Sequence, residues 1–223
     1  MKNFRIKQAF WGIGIFTIFN VIAMSLYPGG TIIDSTTEGY LFFYNFFSNL
    51  GEWTAQNGMD NFYSALLFNL SMLILALSYT LFYMSYYKFF LDEKRSKIFI
   101  KISIVFVMVS MICFVLVAMF SAENATFQLH VFFVKIAFRS LMLYSIFQSL
   151  AIVYNSKSSN TMIFSSLFFT IILFFFILIM EFGPNPFKDN QSLFIQVISQ
   201  KIIVFSILIY FYIQVREILK ITG

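Results

Sequence analysis

The stretch Leu129–Leu150, LHVFFVKIAFRSLMLYSIFQSL, decides the fold: it is long and apolar enough to cross a membrane as a helix, yet it holds two cations, Lys135 and Arg139. About 20 mainly apolar residues span the hydrocarbon core. Side chains four residues apart lie on one face of a helix, so the two cations form a stripe. A charge at helix-centre depth costs roughly 2.5 to 3.5 kcal/mol on insertion scales. The stripe is therefore expected to face the protein interior, a partner or water, and not lipid.

Outward from this stretch the composition agrees. The chain is 60% hydrophobic and 11% charged, with 33 Phe in 223 residues, against roughly 25% charged in soluble domains. Six apolar runs qualify as spans: about 9–27, 61–84, 98–121, 128–153, 161–181 and 193–214. No long polar segment remains between them, and the expectation is an all-α, six-helix transmembrane bundle forming a single domain over 1–223, with the loop 28–60 packed on it.

Charge sets the expected orientation. Lys2, Arg5 and Lys7 precede the first run; Lys88, Lys94, Arg95 and Lys97 lie between the second and third; Lys157 follows the fourth; Arg216 and Lys220 end the chain. The alternate connections hold only Lys188, which predicts both termini in the cytoplasm and a multi-pass protein of the cell membrane. The first run is longer than a signal-peptide core and is read as retained. The net charge of +5 is spread over these short segments, so nucleic acid is not an expected partner.

The long outer connection opens with YPGG, where Pro28 and two glycines end a helix. It continues through EGYLFFYNFFSNLGEW, too aromatic for a solvated loop, and is expected to lie in the interface or fold back as a short helix. The formal sequon Asn124-Ala125-Thr126 sits too close to the membrane to suggest use. Cys113, the single cysteine, lies mid-helix and is read as packing.

Polar residues gather at outer depths. Counting inward from Phe127, Lys135 lies about 12 Å and Arg139 about 18 Å down. Asn61, Ser64 and Asn69 of the second helix, and Gln196, Gln200 and Lys201 of the sixth, fall in the same slab, whereas the inner half reads as apolar apart from Gln148 and scattered hydroxyls. Two arrangements fit. In one, Lys135, Arg139 and Lys201 are neutralised by loop acids, foremost Glu52 and Glu38, and only dock the loop. In the other, Asn69, Lys135, Arg139, Gln200, Lys201 and Glu52 line an outward-opening pocket for an anionic group such as a lipid phosphate. Glu181, closing the fifth helix, is a plausible countercharge to Lys201.

His130 is the sole histidine and projects about 140° away from Lys135. Near the outer interface it is read first as a hydrogen-bonding group, with acid/base work alongside an outer-loop carboxylate as the alternative. No metal-ligand spacing, phosphate loop or nucleophile motif occurs, so no metal, cofactor or catalytic set is expected.

Four stretches, FFSNLGEW (46–53), LFNLSML (67–73), LHVFFVKIAF (129–138) and QKIIVFSILIY (200–210), resemble in order the DRAM-like six-helix membrane proteins, the Frag, DRAM and Sfk group with its bacterial and archaeal relatives. The likeness runs from Tyr27 to Arg216, and Asn69, His130 and Lys201 fall within it. Where that family often has S-D-L-G this chain has Ser48-Asn49-Leu50-Gly51, which removes an acid. Eukaryotic members are linked to lipid handling, so the resemblance implies a partner among membrane lipids. The expected function is binding, sensing or organising an anionic lipid; a lipid-modifying enzyme using His130, and a small-solute transporter or channel, are the alternatives.

Overall fold

The computed structural model describes residues 2–123 and 125–222; the sequon's Asn124 lies outside them. Six helices form: α1 (Lys2–Leu26), α2 (Phe62–Tyr86), α3 (Lys94–Met119), α4 (Phe127–Val153), α5 (Asn160–Phe182) and α6 (Asn190–Thr222). Each is long and apolar enough to cross a membrane, and the chain is a multi-pass all-α protein. Helix ends differ from the apolar runs in one consistent way. α1 starts earlier than 9, α3 earlier than 98, and α6 runs past 214, because charged residues such as Lys97 and Arg216 continue the backbone hydrogen-bond ladder after the hydrocarbon-soluble stretch has ended.

Ends are set by local chemistry. Ser159 caps α5, its hydroxyl accepting from Met162 N at 3.2 Å, and Asp189 accepts from Ser192 N at 2.7 Å at the start of α6. α1 stops before Pro28-Gly29-Gly30, both glycines having positive φ.

Every helix packs on its neighbours in the chain and α6 closes back onto α1, so the six form a ring. α1 and α2 approach closely at Gly12, where an added Cβ would collide with the Ser78 side chain. The half of the ring nearer the termini holds an aromatic core, with Tyr79, Phe82, Tyr86, Tyr144 and Phe211 buried together. It is not the apolar half expected from the sequence. Tyr79 and Tyr144 join hydroxyls, Tyr83 meets Ser103 at 2.7 Å, and Tyr86 donates to Gln214 at 2.7 Å while accepting from Gln148 at 3.0 Å. Gln214 in turn donates to Ser165 at 3.1 Å. Five helices are thereby cross-linked by bonds whose alternative, an unpaired polar group in a dry core, is expensive.

Over the opposite end lies the segment 28–60, a cap with no long helix of its own. It includes a 3-10 turn, Phe47–Gly51, whose Phe47, Asn49, Leu50 and Gly51 are buried. Leu50 O accepts from Asn61 and Ser64 of the α2 start at 3.3 and 3.2 Å, which ties the cap to that helix.

Candidate functional site

The cations do not converge, and the shared pocket expected among Lys135, Arg139 and Lys201 is absent from the described residues. Two separate arrangements take its place.

The first is on the outside of the ring. α4 presents Lys135 and Arg139 toward α5, where Glu181 meets both. Arg139 Nε and Nη2 donate to Glu181 Oε1 at 3.0 and 2.7 Å, and Lys135 Nζ lies 3.5 Å from Oε2. The expected acids Glu52 and Glu38 are not the partners, and Glu181 serves these two residues instead of Lys201. The triad is open: the side chains of Arg139 and Lys135 are 57% and 39% exposed, that of Glu181 17%. Along α4 the residues Phe132, Lys135, Arg139 and Leu143 make one outward stripe, Phe132 and Leu143 also being exposed.

The second lies under the cap. Lys201 of α6 is 2% exposed. Its ammonium bonds the Tyr40 hydroxyl and donates to Asn45 O at 2.9 Å. It also sits over the Phe47 ring at 3.9 Å and within 5.1 Å of the Tyr40 and Phe42 ring centres. Ring faces and a carbonyl satisfy the cation with no acid in salt-bridge range among the described residues. Gln200 beside it accepts from Phe47 N at 2.7 Å. These two α6 residues hold the cap down.

Glu52, 1% exposed, is held by Asn49 and Gln56, whose amides donate to its two oxygens at 2.8 and 2.7 Å. Burial, with a smaller push from Glu123, outweighs those bonds and lifts its carboxyl to about 7. Asn49 donates to Glu52 while accepting from Phe46 N at 2.7 Å. An aspartate could do only the second.

Asn69 is packed beneath Gly51, and its carbonyl oxygen is buried without a partner. It reaches neither arrangement by a hydrogen bond. His130 is committed through Nδ1 to Phe120 O at 2.8 Å, at the end of α3, and makes no hydrogen bond to an acid among the described residues. It closes a helix terminus, which leaves the acid/base alternative without its partner. The centre of the ring is a cavity of about 100 Å³ walled by apolar side chains from all six helices, with no polar lining for a solute among the described residues there.

The cage residues Tyr40, Asn45 and Phe47, and the tyrosine network, were not singled out from the sequence. Tyr79, Tyr83 and Tyr86 recur at helical spacing, a signal that marks a common face but not the partners across it.

Comparison of the chain with protein-family models, with curated proteins and with solved structures gives no match.

Proposed function

We propose that the protein binds a membrane lipid with an anionic headgroup, the phosphate resting on Lys135 and Arg139 beside Glu181. The observation that carries this reading is the triad's imbalance: two cations against one carboxylate, open on the outside of a ring of membrane-spanning helices. A net positive charge at such a position is unstable against hydrocarbon, and one phosphodiester cancels it. Arg139 spends Nε and Nη2 on Glu181, and its Nη1 makes no hydrogen bond among the described residues. A guanidinium edge and a neighbouring ammonium suit a phosphate. Phe132 and Leu143, on the same stripe, offer apolar contact to the chains. The resemblance to DRAM-like proteins supports the same reading, since eukaryotic members of that group are linked to lipid handling. Gln200 and Lys201 then hold the cap, Glu52 lies within it and Asn69 packs beneath it, and none of the four joins the headgroup site.

The test is native mass spectrometry of the purified protein offered phosphatidylglycerol and phosphatidylcholine. Wild type is expected to retain the anionic lipid, Lys135→Met with Arg139→Met to weaken that retention about tenfold, a loss of about 1.4 kcal/mol, and Lys201→Met to leave it unchanged. Equal retention by the double variant overturns the reading.

A further inference from the structure

We infer that the central cavity receives the end of an acyl chain, entering between α4 and α5 past the rings of Phe138 and Phe176, from the lipid whose headgroup rests on Lys135 and Arg139. This inference builds on the lipid reading above and adds a second, independently testable site.

The cavity measures about 100 Å³, and its walls include Phe138, Leu141 and Tyr144 of α4, Phe169 of α5 and Met72 of α2. Tyr79 and Tyr144 contribute ring carbons to it, because their hydroxyls are engaged with each other. A space of this kind offers water no partners and stays dry; an engineered apolar cavity of about 150 Å³ takes up benzene or xenon instead. At mid-span the surrounding solvent is hydrocarbon, so the apolar guest at hand is a lipid chain.

The position of the triad supplies the route. Arg139 follows Phe138 directly in α4, about 100° round the helix from it, while the cavity residues Leu141 and Tyr144 project about 140° to 160° away from Arg139 within about 7.5 Å along the axis. On α5, Glu181 stands about 7.5 Å along the axis from Phe176. Phe138 and Phe176 meet with ring centroids 4.6 Å apart and planes at 57°, and both are buried. Phe138 is itself part of the cavity wall, and Phe176 packs against it from α5. Neither ring carries a hydrogen bond, so turning one aside costs only packing, whereas the tyrosine network toward the termini would have to break several bonds.

The experiment uses the full-length protein in phosphatidylcholine vesicles containing phosphatidylglycerol with a photoactivatable diazirine at the end of one chain. Adducts are then mapped by peptide mass spectrometry. Adducts are expected on cavity residues such as Met72, Met111 and Leu141, reduced about tenfold in Ala76→Phe, which fills the same space. Adducts confined to outward-facing Leu143 and Phe175 overturn the chain site, and if retention still depends on Lys135 and Arg139 the headgroup reading stands alone. Adducts in the cavity that persist in the Lys135→Met and Arg139→Met variant overturn the shared entry, while the headgroup reading falls only if lipid retention is also unchanged in that variant. Mapping on wild type decides between inward and outward adducts even if Ala76→Phe does not fold.

Discussion

Lys201 and Glu52 are buried beneath the same aromatic cap, yet each is satisfied without the other, and the difference lies in their partners. The ammonium rests on ring faces and a carbonyl, so Lys201→Met keeps the stem but removes one of the two donors to Asn45 O, the Tyr40 hydroxyl being the other, and the donor to the Tyr40 hydroxyl itself. The variant is expected to loosen residues 40–47 by about 1 to 3 kcal/mol, read as faster amide exchange confined to that segment. Glu52 behaves differently because its carboxyl is raised from 4.5 to about 7 by burial. Between those values the folded cap holds a proton that the unfolded chain has released. Its contribution is therefore full below about 4.5 and is lost as pH rises through about 7. Protection of the cap amides, taken relative to the intrinsic base-catalysed exchange rate at each pH, should fall over that window in wild type and stay flat in Glu52→Gln; a fall of equal size in both assigns the dependence to another group.

At the scale of elements, close approach separates glycines that look alike in the sequence. Gly12 and Gly14 both lie in α1, but a Cβ on Gly12 meets the Ser78 side chain and one on Gly14 meets nothing within 4 Å. Gly12→Ala is expected to lower thermal stability in detergent by about 1 to 3 kcal/mol, while Gly14→Ala should be neutral or raise it by about 0.5 to 1 kcal/mol. Destabilisation of similar size by both changes would contradict the α1–α2 packing described here. Gly51 plays the same part between cap and helix: its φ is not positive, but a Cβ would stand 2.6 Å from the Phe68 ring. That the glycine is there for space became visible only with α2 beneath it.

For the whole molecule, the ring exposes apolar side chains around its girth, Phe164, Phe175, Ile209 and Val105 among them, as a surface solvated by lipid requires. The basic connections at Lys88–Lys97 and Lys157 lie at the same end as the termini, and the cap lies at the other. The charge bias predicts that the cap end faces outward. With Cys113 buried and replaced by Ser, a cysteine at Ser35 should react with a membrane-impermeant maleimide in intact cells, and one at Lys157 only after permeabilisation. The reverse pattern inverts the orientation.

Six spans, their order and the unusual status of Lys135, Arg139 and Lys201 were determined by the sequence alone, because hydrocarbon solubility is a sum over consecutive residues and needs no knowledge of neighbours. Which partner each charge finds was decided only by the tertiary structure. Glu181, 42 residues from Arg139, meets it because α4 and α5 pack side by side, and Lys201 is 156 residues from the carbonyl it bonds. The same holds for the tyrosine network and the central cavity. A hydrogen bond or an enclosed volume depends on angstrom-scale distances between helices, and linear spacing fixes a residue's face on its own helix but not what that face will meet.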